Sequence, residues 1–439
     1  MIDFVKKHLH TGGAEEVGND YSKIAEQYEK YKTVQGLMRY INIDSLKEQH
    51  RKQDKNKATG IDKVNKEQYG ENLNDNLERL IKDMKTFSYR PLPVRRTYIP
   101  KANSDKLRPL GIPAYEDKLV QGVFAEVLEV IYEGIFLDCS YGFRPNRDCH
   151  KAIKELDNII MRKKVNFVVD ADIKGFFDNV NHEWMIKFLE HTIKDANFIR
   201  YIKRFLIGGI MEDGRLLESD KGTPQGGLIS PILANVYLHY VLDLWFQLDV
   251  KVRSKGQAYM VRYADDFVCC FELEEDAKRF YQELIERLKK FNLELAEDKS
   301  KIIPFGKNAP DSKETFDFLG FTHKGGKGRT GYYKLLHLTS QKKLKIKKAL
   351  AKQWIKDNIR LPIGILIKRL NVKLTGHYRY YGITDNYSRL KSFRNYVKYE
   401  LYKRLKRRSQ TDKTTLEKFY KIMEYNPLAE PKIYFSLWK

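Results

Sequence analysis

Residues 259 to 271 read Tyr-Met-Val-Arg-Tyr-Ala-Asp-Asp-Phe-Val-Cys-Cys-Phe, two apolar, β-prone runs that meet at Tyr263-Ala264-Asp265-Asp266. The pattern predicts a hairpin that projects two adjacent carboxylates from its turn. Side-by-side carboxylates repel, and a fold tolerates them most easily where a divalent cation neutralises them. Mg²⁺-dependent phosphoryl transfer is the chemistry such a pair would serve. Alone the tetrapeptide is weak evidence, because Asp-Asp is also an ordinary solvated turn.

A third carboxylate changes the weighing. Phe167-Val168-Val169-Asp170-Ala171-Asp172-Ile173 reads as a buried strand interrupted by acids two residues apart, which strand geometry places on one face. Two-metal polymerisation needs carboxylates from neighbouring strands to clamp two ions about 4 Å apart. One ion activates a primer 3′-hydroxyl and the other holds the triphosphate and its leaving pyrophosphate. Asp172, Asp265 and Asp266 are therefore the candidate catalytic residues and metal ligands, with two Mg²⁺ expected and Mn²⁺ an allowed substitute. The competing reading is a structural network in which Asp170 and Asp172 pair with Lys or Arg.

Further blocks follow in order along the chain. They are Ile99-Pro100-Lys101 with Leu107-Arg108-Pro109-Leu110-Gly111-Ile112-Pro113, then Ser140-Tyr141-Gly142-Phe143-Arg144-Pro145, then Asp172-Ile173-Lys174-Gly175-Phe176-Phe177-Asp178. After them come Gly222-Thr223-Pro224-Gln225-Gly226-Gly227, the Tyr-Ala-Asp-Asp turn, Asp298-Lys299-Ser300-Lys301 and Phe318-Leu319-Gly320-Phe321. Seven blocks in this order resemble the reverse transcriptases encoded by bacterial group II introns, also called intron maturases. The resemblance covers most of the chain. It implies an RNA-directed DNA polymerase that uses an RNA template, the group II intron RNA, together with a DNA primer and target and dNTPs, and that also assists splicing and intron mobility.

Lys101 and Arg108 flank a polar turn and could reach over a triphosphate, or they are solvated surface charges. The resemblance makes them nucleotide-binding residues of the fingers. Phe176, four residues past Asp172, or its neighbour Phe177, could exclude a ribose 2′-hydroxyl, and either ring could equally be core. The resemblance favours Phe176. Residues 222 to 227 are too rich in glycine and proline for a strand or helix and read as a loop with close backbone approach. Within it the resemblance implies that Gln225 supports the templating base pair, and it makes Lys299 a candidate general acid toward the leaving pyrophosphate.

The net charge is +23, and from Leu335 onward 26 Lys and Arg stand against 7 Asp and Glu. Such density favours a polyanion partner. Tyr378-Arg379-Tyr380-Tyr381 and Phe393-Arg394-Asn395-Tyr396 interleave rings with charge, as stacking on unpaired bases would need, although Leu390, Phe393, Val397, Leu401 and Leu405 also form a helical core stripe. Arg404, Lys406, Arg407 and Arg408 are the RNA-binding candidates. The tail resembles the family's thumb, or maturase domain X.

The expected fold is α+β: a right-hand polymerase with fingers and a ferredoxin-like antiparallel palm sheet plus helices, followed by an α-helical thumb. The expected divisions are an N-terminal extension at 1–60, fingers and palm at 61–325, and a basic helical thumb at 335–439, with Gly325-Gly326-Lys327-Gly328 as a flexible joint. The helix at 274–291 should lead to a strand around Leu293 and Leu295. With 439 residues, 42% of them hydrophobic, there is apolar content for two or more packed domains. Four cysteines lack zinc or redox spacing, so a reducing cytoplasm is the expected location. Neither a signal peptide nor a membrane span is expected. The resemblance places the chain with endonuclease-lacking members. Alternatives in function are a domesticated relative in DNA repair or phage defence, and a non-catalytic RNA-binding splicing maturase.

Overall fold

The computed structural model of the chain describes residues 20–100, 107–212, 215–217, 221–222, 226–308, 313–328, 331–408 and 414–437. Two strands rich in branched and aromatic residues, β1 (Val94–Pro100) and β2 (Leu107–Ile112), pair antiparallel. The short β4 (Ile210–Glu212) lies parallel to β1 and carries β5 (Arg215–Leu217) on its other edge, giving the order β2-β1-β4-β5. This small sheet lies in the part of the chain expected to form the fingers.

The palm sheet is antiparallel throughout, in the order β6-β7-β3-β8, with β3 at Phe167–Asp172, β6 at Ala258–Tyr263, β7 at Asp266–Phe271 and β8 at Lys301–Pro304. Alternation sorts its side chains into two cores. Val169, Ala171, Phe267, Cys269 and Phe271 join the large core that includes Ala277, Phe280 and Leu284 of the helix Glu274–Lys290. Val168, Val268 and Cys270 face the other way, onto Ala152, Leu156 and Ile159 of the helix Cys149–Arg162. The same parity places Asp170, Asp172 and Asp266 on this second face. Cys269 and Cys270 therefore belong to opposite faces, and both are free thiols.

A second sheet, β9 (Thr315–Phe318), β10 (Phe321–Lys327) and β11 (Tyr333–Thr339), follows the palm. Three long helices come next, Gln341–Asn358, Ile363–Tyr381 and Tyr387–Leu405, and the shorter Leu416–Tyr425 follows. Leu366, Leu370, Leu374, Leu390, Val397 and Leu401 form the heart of a separate thumb core. Among the described residues no helix is long and apolar enough to cross a membrane.

Several expectations need correction. Gly325 to Lys327 is no joint: these residues are strand, with Gly325 opposite Leu335 and Gly326 opposite Lys334. Leu335 is fully buried in the palm's second core, so the hairpin is anchored on the palm side and the helical thumb starts only at Gln341. Leu293 and Leu295 are buried but make only an isolated bridge, Leu295 to Ile173, and the strand comes later, at β8. Tyr378, Tyr381 and Phe393 are 1%, 5% and 5% exposed, so the helical stripe wins over base stacking at these rings. The described part of the N-terminal segment packs into the same core as the palm through Ile24, Leu37 and Leu46, and Ala58 O and Thr59 O accept hydrogen bonds from Lys118 and Arg95.

The hairpin is tied to the palm by a buried polar chain. His337 Nε2 meets Asp157 Oδ1 at 2.9 Å, and His337 Nδ1 meets Nδ1 of the cross-strand His323 at 3.0 Å. Burial, with His337 alongside, holds the His323 imidazole well below the usual histidine range. The folded chain thus refuses a proton that the unfolded chain accepts below about pH 6.5, and stability is lost as pH falls through that value. His323→Gln should flatten the loss of unfolding free energy between pH 7.5 and 5.5, by up to about 1.4 kcal/mol per pH unit. An unchanged slope in urea melts of the two proteins would rule His323 out as a source of acid lability.

Candidate active site

The sheet register assembles the acidic site. Asp172, the last residue of β3, lies opposite Asp266, the first of β7, while Tyr263 and Asp266 close a two-residue turn made of Ala264 and Asp265. Ala264 takes φ 57°, a conformation that normally favours glycine. That unusual turn lets consecutive acids emerge at the end of a hairpin that would otherwise send them to opposite faces.

Carboxylates crowd here without a matching number of cations. Burial, reinforced by Asp170, Asp265 and Asp172, pushes the Asp266 carboxyl up to about 7, against a hydrogen bond from the Leu319 backbone that lowers it. Burial likewise lifts Asp170 to about 6, despite Lys301 opposite it in the register. Lys299 Nζ donates to Asp172 Oδ2 at 3.0 Å, and that bond raises the lysine's own proton affinity. Among the described residues no group of three or more His, Cys, Asp or Glu side chains is arranged, as it stands, to hold a metal ion. The donor chemistry nevertheless fits a hard divalent cation: only carboxylate oxygens, from two adjacent strands, electrostatically short of positive charge. Asp170 is a fourth acid of this cluster. Its spacing from Asp172 signalled the shared face, but only the fold brings it beside Asp266.

Below the turn lies Arg262, which is 0% exposed. Its guanidinium donates to both oxygens of Asp243, at 2.7 and 2.5 Å, and to Asn235 Oδ1, Ala264 O and Ser140 Oγ at 3.0, 2.9 and 2.7 Å. Sequence reasoning missed this residue. An arginine in an otherwise apolar strand, three positions before the acids, was the available signal.

The Gly-rich block behaves as a close-approach loop where it is described. Gly222 and Gly226 have φ of 90° and 115°, and a Cβ on Gly226 would lie 2.5 Å from Gly111 O, so this loop meets the fingers backbone to backbone. Phe176 is 2% exposed, packed edge-on against Phe177 and Tyr237, and Phe177 is the less buried of the pair. Lys101 and Gln225 lie outside the described residues, as does the side chain of Arg108, whose backbone pairs with Ile99. Arg404 and Lys406 to Arg408 are far along the chain at the C-terminal end of a thumb helix, where Arg408 already donates to Arg360 O and Leu361 O. Lys406 and Arg407 are exposed there.

Residues 99–323 match the model of the family described as reverse transcriptase (RNA-dependent DNA polymerase). The chain belongs to this family. Within it, the relatives include group II intron-encoded proteins. The group II intron-encoded protein LtrA of Lactococcus lactis subsp. cremoris is 39% identical over 230 residues, covering 52% of this chain and 36% of LtrA. Protein YkfC of Escherichia coli K12 is 32% identical over 317 residues, covering 65% of this chain and 80% of YkfC. A 91 kDa protein in the cob intron of Schizosaccharomyces pombe is 41% identical over 182 residues, covering 42% of this chain and 22% of its own. The chain thus spans about a third of LtrA. It is a member of the reverse transcriptase family, with similarity over part of their length to group II intron-encoded proteins.

In this reverse transcriptase the crowding of acids has a cost in stability. The Asp266 carboxyl binds a proton more tightly folded than unfolded, so the penalty grows as pH rises through about 7 and is complete at pH 8. In metal-free buffer at pH 8, Asp266→Asn should stabilise the protein by on the order of 1 to 2 kcal/mol. Thermal melts in chelator check this, and an Asn variant no more stable than the parent would refute the repulsion.

Proposed function

We propose that this reverse transcriptase adds dNTPs to a DNA primer on an RNA template, with Asp172, Asp265 and Asp266 as ligands of two Mg²⁺ ions. The observation that carries the proposal is the register that sets Asp172 opposite Asp266 at the ends of adjacent strands, with Asp265 in the turn between. Divalent ions held there would make the primer 3′-hydroxyl a better nucleophile and neutralise the departing pyrophosphate. The bond formed is 3′-oxygen to α-phosphorus, and the bond broken joins that phosphorus to pyrophosphate.

The protein's own residues supply position and protons. Lys101 and Arg108 would grip the triphosphate, a point charge and a planar fork, and Gln225 would support the templating base pair. Lys299, whose ammonium already sits in the acidic site, is the proposed proton donor to pyrophosphate. Phe176 is the proposed barrier to a ribose 2′-hydroxyl, a ring immobilised by Phe177 and Tyr237 at the start of the helix that follows the metal-site strand. To the basic thumb, through Arg404, Lys406, Arg407 and Arg408, we assign the binding of group II intron RNA that assists splicing and mobility.

Primer extension with dNTPs and Mg²⁺ on an RNA template is the decisive experiment. The parent should extend, and Asp265→Ala/Asp266→Ala should lose at least about 1,000-fold in rate while still binding template-primer. Failure of the parent to extend while it binds RNA tightly would leave an RNA-binding maturase. Sugar selection gives a second test. Phe176→Val should raise ribonucleotide incorporation at least about tenfold by removing a steric clash. If only Phe177→Val does so, Phe177 is the gate.

A further inference from the structure

The buried arginine below the catalytic turn uses all its hydrogen-bonding capacity. A guanidinium has five N–H donors, and Arg262 meets five acceptors: Nε to Asp243 Oδ1, one terminal nitrogen to Asn235 Oδ1 and Ala264 O, the other to Asp243 Oδ2 and Ser140 Oγ. Asp243 neutralises it and is itself 0% exposed. A buried ion pair adds little net stability over an apolar pair of equal volume. Its direction is the informative part. Ala264 O belongs to the peptide plane that delivers the nitrogen of Asp265, so holding that carbonyl fixes the plane from which the catalytic carboxylate leaves the turn.

A second segment closes on the same turn. Arg262 N donates to Cys139 O and Tyr141 N donates to Arg262 O, both at 2.8 Å, which draws residues 139 to 142 alongside β6. Gly142 then lies so close that a Cβ on it would stand 2.3 Å from Ala264 N, and its carbonyl accepts from Asn235 Nδ2 at 2.7 Å. Left-handed backbone recurs here at Phe143, φ 56°, and at Ala264, φ 57°, a strain that persists only where surroundings impose it. Asp243 sits at the end of a π-helical stretch, His239–Asp243, a local irregularity of the kind often found at functional sites.

We propose that Arg262 is a positioning residue for catalysis: paired with Asp243, it fixes the Ala264–Asp265 peptide, while Gly142 braces the opposite side of the turn, so that the carboxylates are aimed before an ion or nucleotide arrives. This rests on the polymerase assignment above and adds to it the device that aims the acids. A lysine in place of Arg262 keeps the charge but has three donors and no planar fork, so it cannot reach Asp243, Asn235, Ser140 and Ala264 together.

The test uses the full chain and three variants: Arg262→Lys, Ser140→Ala and Gly142→Ala. For each, single-turnover extension at saturating dNTP, template-primer Kd, unfolding midpoint and Mn²⁺ binding by electron paramagnetic resonance without nucleic acid are measured. Arg262→Lys and Gly142→Ala should slow extension about 100-fold, the scale of a displacement of about 1 Å at a reacting centre. Both should weaken Mn²⁺ binding about tenfold, as loss of a ligand's support does, with template-primer Kd within about twofold of the parent. Ser140→Ala, which removes one donor's partner, should fall between them and the parent. If Arg262→Lys fails to fold, Gly142→Ala decides, since it leaves the buried Arg262–Asp243 pair in place. Variants that melt earlier yet keep the parent's extension rate and Mn²⁺ affinity would overturn the proposal and leave a structural ion pair. If the parent itself does not extend primers, the polymerase assignment fails, and the Mn²⁺ affinities still decide whether the turn is aimed by Arg262.

Discussion

Like charges held at short range are the constraint around which this molecule is organised. Asp170, Asp172, Asp265 and Asp266 share one end and largely one face of a four-stranded sheet, and in isolation they would push β3 and β7 apart. What opposes them is not local. Branched and aromatic side chains on both faces of the sheet commit the two strands to one register, because a slip of one residue would send every buried side chain to the wrong core. Lys299 and Lys301 bring partial neutralisation from the segment that leads into and begins β8. Arg262 fastens the turn from beneath. The palm is therefore a sheet whose hydrophobic stability holds an electrostatically unfavourable edge.

The thumb and the hairpin before it solve a different problem. The helices after residue 340 bury a leucine-rich core of their own, so most of the tail's positive charge remains on the outside, available to phosphates. The segment between palm and thumb passes close to the acids: Asp317 faces Asp170, and the Leu319 backbone reaches Asp266. A wide groove of about 1090 Å³ runs from Asp266 along Lys343, Lys347 and Trp354 to Lys373 and His377. The chain continues into the thumb without a flexible linker at the glycines, because β10 and β11 pair across them.

Much of this was readable from the sequence because the relevant physics is local. Period-2 apolar runs around Asp172 and Asp266, period-3.6 runs at 274–290 and 390–405, and punctuation by Gly and Pro at 222–227 reflect geometry that a few residues decide among themselves. The failures share a cause too. Gly325 and Gly326 looked like a joint because glycine weakens a strand, yet their partners across the hairpin supply hydrogen bonds that no local pattern reveals. Tyr378, Tyr381 and Phe393 could serve a core or a stack, and only packing against the neighbouring helices chose the core. Phe176 and Phe177 presented the same ambiguity.

By itself, then, the sequence determined the chemistry on offer: three acids of the right type, in two strand-like contexts, with a heavily basic tail, in an order that resembles one family. Tertiary structure alone decided which acids meet. Asp170 became part of the cluster through the pairing of β3 with β7, and Lys299 became a partner of Asp172 although 127 residues separate them. Arg262 became a strut because Ser140 from one stretch of chain, and Asn235 and Asp243 from one continuous helical run, converge on it. The physical reason is that periodicity and propensity act over a turn or a strand. Repulsion, burial and a guanidinium's five bonds act over distances that exist only once the chain has closed on itself.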